Sequence, residues 1–348
     1  MFRKVTTLIK KNIFESRKKK ILFCLLFFLL VAYVAYQVFS YRPKPDKIIY
    51  GASFNVPYAI ELGLDWQESY LAILDDLGVK NLRLAAHWPL VEPERNNYDF
   101  SYLDFQLEEA LKRNIDVILV LGRRVPRWPE CHVPEWATVL QEKEWQAEIL
   151  DLMELIINRY KDFENISYWQ VENEPYLEVF AYEHCGDLDE GFLDSQISLV
   201  RGLDLDRPIL MTDSGNLGWW SRPYQKGDAF GTSVYLYFWN PNLGQFRTIL
   251  PASFYRFKTN WNELRHGKQE TFLIELSLEP WLIEPLIETP IEVQFEMMDL
   301  NRMNRIIDYA ERTRFEKQYL WGAEWWYWLK EEHGMSDKWN FGKELFSS

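Results

Sequence analysis

Two glutamates stand at the ends of apolar runs that read as strands. In YWQVENEPYL, residues 168–177, the run ends in Asn173, Glu174 and Pro175; in TFLIELSLEPW, residues 271–281, it carries Glu275. Proline has no amide donor, so a strand loses its ladder at Pro175 and leaves the preceding carboxylate at the strand mouth. In the second run, alternation is expected to send Thr271, Leu273 and Glu275 inward and Phe272 and Ile274 outward against helices. Arg83 is a cation inside the apolar NLRLAA. Two carboxyl groups and a positive charge at one mouth suit glycoside hydrolysis, in which one acid gives its proton to the leaving oxygen and the other, ionised, attacks the anomeric carbon. An arginine beside Glu275 would hold that acid ionised, and its charge would help keep Glu174 protonated. Either glutamate alone could be a solvated rim residue and the arginine alone a surface ion-pair partner; their conjunction in strands two, four and seven reads as a site.

The elements that must position them are eight apolar runs: IIYGASF, NLRLAA, DVILVLG, ISYWQV, PILMTD, AFGTSVY, TFLIEL and QYLWGAE. Amphipathic segments separate several of them. DWQESYLAILDDLG opens with Asp65 and Glu68 in capping-box spacing and stops at Gly78; SYLDFQLEEALKRN and WQAEILDLMELIINRY have the same helical period. Strands alternating with helices predict an α/β fold, a closed (β/α)8 TIM barrel over residues 48–348 with catalytic groups at the C-terminal strand ends. A doubly wound open sheet is the alternative, but neither GxGxxG nor GxxxxGK[ST] occurs.

WQVENEPY resembles the strand-four signature of clan A of the glycoside hydrolases, retaining (β/α)8 enzymes that include cellulases, mannanases and families 42 and 39. Its order relative to RLAAHW, GTSVY, LIELSLEPW and LWGAEWWYW strengthens the resemblance, which runs from about Gly51 to Trp328. The resemblance implies Glu174 as acid/base, Asn173 as the partner of the sugar 2-hydroxyl, Glu275 as nucleophile, Arg83 as the strand-two arginine and Tyr235 as the group that hydrogen-bonds the nucleophile. VPRWPECHVPEW and LIELSLEPW also look like an uncharacterised bacterial branch of such hydrolases, which leaves the sugar open.

Glu279 is a rival nucleophile, but it falls in the loop past the strand, where it is expected to be held less rigidly. Glu172 shares strand parity with Glu174 and is expected to form an ion pair deeper in the barrel. Glu324 could bond a sugar hydroxyl or pair structurally. His87, Trp88 and Trp128 are expected substrate contacts, and Trp325 is expected to floor the central subsite, because indoles suit the C–H faces of sugars. Cys131 in the loop after strand three and Cys185 in the loop after strand four would come side by side at one barrel face, so a bridge between them is expected, two unpaired thiols being the alternative. No HExxH, Cys/His ligand spacing or GxSxG elbow occurs, so neither a metal, nor another cofactor, nor an esterase triad is expected. The Asn165 sequon opens a buried strand and reads as incidental.

Residues 21–39 form an uncharged apolar stretch long enough to span a bilayer, after a basic tail over residues 1–20. The chain's net charge of −13 splits into +7 over that tail and −20 beyond it, a balance that disfavours nucleic acid as a partner. An uncleaved signal anchor with its N-terminus in the cytoplasm is expected, a cleaved signal peptide being the alternative. YRPKPDK, within residues 40–47, reads as a short stiff linker. The expected protein is a monomeric, membrane-anchored retaining hydrolase of β-linked oligo- or polysaccharides, facing the periplasm or the exterior. A catalytically silent carbohydrate-binding protein and a transglycosylase using the same intermediate are the alternatives.

Overall fold

Runs of Ile, Leu and Val between helix caps become parallel strands: β1 (Ile49–Ser53), β2 (Asn81–Ala85), β3 (Asp116–Leu121), β4 (Ile166–Val171), β5 (Ile209–Asp213), β6 (Ala229–Ser233), β7 (Glu270–Ser277) and β8 (Lys317–Trp321). They close into a barrel in the order β1-β8-β7-β6-β5-β4-β3-β2, the predicted (β/α)8 architecture. The computed structural model describes residues 2–240, 244–282 and 284–347. Helix signals were legible where caps were present. Asp65 accepts the amides of Gln67 and Glu68 at 2.9 and 3.1 Å and opens the helix Trp66–Asp75, and Gly78 follows with φ +74°. The helix Glu142–Tyr160 starts three residues before WQAEIL because Gln141 and Glu144 form a capping box. An antiparallel hairpin, Tyr237–Asn240 with Gly244–Arg247, follows β6 and was not anticipated.

Register fixes which side chains face the barrel interior. Arg83 lies opposite Ile118, and Ile118 opposite Tyr168, so these share the inner face. Ile118, Leu210, Ala229, Phe272, Ile274 and Tyr319 pack that interior, whereas Leu273 and Leu276 join the larger core between strands and helices. The expected parity of β7 is therefore corrected: Phe272 and Ile274 point in, and Leu273 points out. Glu275 still reaches the interior because the register slips there. Thr232 faces Leu273 but Ser233 faces Glu275, and on the other side Gln318 faces Leu273 but Leu320 faces Leu276. One extra residue in the strand puts Ile274 and Glu275 inward in succession.

Ahead of the barrel runs one helix, Phe2–Phe39, whose Lys18–Phe39 part has a mean hydropathy of 2.5 and is long and apolar enough to cross a membrane. The basic side chains of the tail up to Arg17 lie outside the described ones.

Candidate active site

Arg83 organises the mouth. Its side chain is fully buried, and each nitrogen has a separate partner: Nη1 donates to Glu275 Oε1 at 2.8 Å, Nη2 to Asn173 Oδ1 at 2.7 Å and Nε to Gln170 Oε1 at 2.9 Å. One guanidinium thus ties the ends of β4 and β7 together. Tyr235, two residues past β6, donates its hydroxyl to Glu275 Oε2 at 3.2 Å. Glu275 consequently carries a donor on each oxygen, the pattern an ionised carboxylate accepts. Gln170 was missed from sequence; its inward position on β4 was readable from alternation, but its bond to Arg83 was not.

Glu174 has the opposite environment. Burial pushes its carboxyl well above the usual range and the Glu275 charge pushes it further, while Oε1 has no hydrogen-bond partner among the described residues. Its amide donates to Thr212 Oγ1 at 2.9 Å, and its own φ is +43°. Glu172 also has a left-handed backbone, with φ +56°. That turn breaks the alternation, so the expected ion pair inside the barrel is not formed. Glu172 instead lies outside the strand wall, accepting the amides of Arg123 and Arg124 and the side-chain amide of Gln196 on the helix Glu190–Leu203.

A third carboxylate joins the site unforeseen. Glu130 Oε2 accepts from Asn173 Nδ2 at 3.0 Å and lies 3.7 Å from Arg124 Nε. Burial pushes its carboxyl up to about 7 against the pull of Arg124, with Glu275 adding to the rise. Asn173 is thereby held at both ends, by Arg83 and Glu130, and keeps one amide hydrogen for a ligand. Glu130 follows the Trp128-Pro129 pair at φ +71°, a local conformation with no sequence period to betray it. The disulfide between Cys131 and Cys185 is present, with Cα atoms 5.4 Å apart, and joins the loops after β3 and β4 as expected.

Several expected contacts lie elsewhere. Trp325 is corrected: it is fully buried in the helix Ala323–His333, and Nε1 donates to Gln294 Oε1 at 2.8 Å. Trp321 takes the mouth position instead, lining a cleft with Ser53, Asn55, Arg83, Arg127 and Glu324, its Nε1 without a partner among the described residues. Trp88 is likewise core, donating to Glu92 at 2.8 Å. Trp128 is on the exposed rim, its ring 4.8 Å from His184. His87 is buried, its Nε2 3.1 Å from Asn55 Nδ2 and its Nδ1 without a partner among the described residues; burial, then His132, drives its pKa far down, so the ring is neutral. Glu324 accepts the Asn55 amide at 2.7 Å, and burial raises its carboxyl to about 7. Glu279 is not loosely held: Arg127 Nη2 pairs with it at 3.0 Å. That pairing engages it away from Arg83.

A family model described as beta-galactosidase, glycoside hydrolase family 42, matches residues 64–273. The beta-galactosidase Bga of Halorubrum lacusprofundi is 23% identical over 184 residues, taking in 47% of this chain and 25% of its own. The beta-galactosidase BgaA of Clostridium cellulovorans is 24% identical over 168 residues, 43% of this chain and 25% of its own. The chain spans about a quarter of the length of these curated relatives. Among solved structures, the beta-galactosidase of Rahnella sp. R3 aligns with TM-score 0.56 and 12% identity over 87% of this chain and 56% of its own. GH5_18 of Bifidobacterium longum subsp. longum aligns with TM-score 0.56 and 13% identity over 79% and 70%. These two likenesses are of fold.

Proposed function

The chain belongs to glycoside hydrolase family 42, in clan A, and from that premise we propose a membrane-anchored retaining hydrolase that cleaves β-glycosidic bonds by double displacement. In the first step Glu275 attacks the anomeric carbon while the leaving oxygen takes the Glu174 proton. A glycosyl ester on Glu275 forms and the glycosidic bond breaks. In the second, Glu174 as carboxylate takes a proton from water, whose oxygen attacks the same carbon and frees Glu275. The electrostatics support this exchange of roles. Glu174 is kept acidic partly by the Glu275 charge; esterification removes that charge, and Glu174 becomes ionised when a base is needed.

The observation that carries the reading is the Arg83 bridge, which joins Glu275 and the residue beside Glu174 through one buried cation. Asn173, with Glu130 behind it, is assigned to the sugar 2-hydroxyl, Tyr235 to orienting Glu275, and Trp321 to the wall of the central subsite. Residues 21–39 are assigned to a signal anchor with residues 1–20 cytoplasmic, and the domain from Ile48 to the far side of the membrane. β-Galactosides are the first substrates to try. The test is trapping with a 2-fluoro glycoside and peptide mass spectrometry. A label on Glu275 is expected, and a label on Glu279, or none with an accepted substrate, overturns the assignment.

A further inference from the structure

The apolar helix meets the barrel along the helix Ala252–His266, and the contacts are ordered along both segments. The Tyr36 and Ser253 hydroxyls are 2.9 Å apart, and the Tyr36 ring stacks on Phe257 at 5.6 Å. Phe39 packs edge-on against Phe257 and Trp261 at 5.2 and 6.3 Å. Arg42 pairs with Asn260 at 2.8 Å and Glu263 at 3.0 Å. Arg256 donates to Ser40 O, and Asn260 to Phe39 O and Tyr41 O. The expected short stiff linker is thus fastened at its start. Higher numbers meet higher numbers, so the two segments run in the same direction. A helix between β6 and β7 starts near the barrel mouth and ends at the base, because it must return the chain to the start of the next parallel strand. The membrane helix therefore descends onto the barrel from the mouth side.

Two exposed apolar residues lie on that side. Lys258 on this helix donates to Gly215 O and Gly218 O, which places the loop after β5 beside it. In that loop Trp219 is 91% exposed, and Ile249, in the loop leading into the helix, is 97% exposed. Both belong to the mouth face. Indole and aliphatic side chains beside a membrane helix settle at the lipid–water interface.

The geometry points to a catalytic mouth turned toward the bilayer that holds the chain, with the rim at Trp219 and Ile249 seated in the leaflet surface, so that the substrate class is the β-linked headgroup sugar of a glycolipid. This rests on the anchored hydrolase proposed above. A polymer in free solution would have to reach the site through the gap between rim and lipid, whereas a membrane-borne sugar is delivered by lateral diffusion.

The full chain, Cys24→Ser, is reconstituted in phosphatidylcholine vesicles with an environment-sensitive fluorophore on a single introduced cysteine at position 219, 249 or 205. Leu205 is 88% exposed in a base loop and serves as the control. Labels at 219 and 249 are expected to be quenched by doxyl lipid several-fold more than the label at 205, which iodide alone quenches. Equal iodide quenching at all three overturns the orientation. The double variant W219S/I249S is expected to lose about tenfold of its rate on a galactosyl lipid in the same vesicles and none on a soluble aryl β-galactoside; equal effects on both overturn the substrate class. Absence of turnover on either substrate would defeat the hydrolase reading while leaving the quenching result to decide the orientation. Extraction by alkaline carbonate would defeat the anchor, and the inference with it.

Discussion

The ends of β4 and β7 each deliver one carboxylate to the mouth, and they do so by different departures from strand geometry. β7 stays extended and gains one residue, so Glu275 arrives on a bulged but unbroken strand with Arg83 and Tyr235 on its two oxygens. β4 breaks: Glu172 and Glu174 both have positive φ, a conformation that costs on the order of 1–3 kcal/mol each in a non-glycine residue. The broken end is held by its neighbours, through Thr212 on one side and the amides of Arg123 and Arg124 on the other. The contrast matches two different duties. A nucleophile needs a fixed carboxylate, which an unbroken strand and a buried cation supply. An acid that must later act as base needs a poorly solvated carboxyl with a bare oxygen, and a flipped backbone supplies that.

The largest expected effect tests the unbroken end. Glu275→Ala should lower kcat at least about 10⁴-fold, as loss of a covalent nucleophile does, with binding of substrate retained. Steady-state rates on an aryl β-glycoside measure it, and activity near wild type would remove Glu275 from the mechanism. The broken end should behave differently. Glu174→Gln should cost roughly 10²–10⁴-fold on glycosides with poor leaving groups and much less in the glycosylation step for activated aryl glycosides. The pH profile sharpens the distinction. A carboxyl with a raised pKa keeps its proton to higher pH, so wild-type activity should fall as pH rises through that value. Glu174→Gln cannot lose a proton and should lack this alkaline limb; an unchanged limb would assign it to another group.

Much of this contrast was legible in the sequence at the level of residue type and order. Apolar runs announced eight strands, and Arg83, Glu174 and Glu275 stood out as charges that apolar strands tolerate only with partners. The Cys131–Cys185 bridge followed from barrel geometry, since successive loops share a face. What escaped were single-residue irregularities. The β7 bulge and the left-handed Glu172 are stabilised by neighbouring strands and helices, so a period-two pattern assigns Leu273 and Glu172 to the wrong faces. Trp325 was misplaced for a similar reason: Gly322, at φ +114°, starts a helix at once after β8, and the indole three residues on turns into the core. Glu130 lies in a loop whose path no periodicity describes.

The Arg83 bridge is the element the two ends share. Arg83→Met would leave Glu275 buried beside no cation, and breaking a buried pair from one side costs about 3–5 kcal/mol. Chemical denaturation should show that loss, and Glu275→Gln combined with it should recover a substantial part, because the stranded charge is then gone. If the double variant is no more stable than Arg83→Met, the bridge is a packing contact and the two ends are independent.

A smaller effect isolates the broken end from the chemistry. Glu172 touches no proposed substrate group; it accepts from two backbone amides and Gln196, all of them donors. Glutamine at this position keeps the shape but turns one acceptor into an NH2 group facing donors, so at least one amide loses its partner. An unsatisfied buried donor costs about 1–3 kcal/mol, and Glu172→Gln should lower the denaturation midpoint accordingly. The loop after β3 carries Glu130 as well as these amides, so its loosening should reach Asn173 and raise KM while the alkaline limb assigned to Glu174 stays in place. A shift of that limb would mean that Glu172 acts on Glu174 directly and that the flip at β4 tunes the acid as well as aiming it.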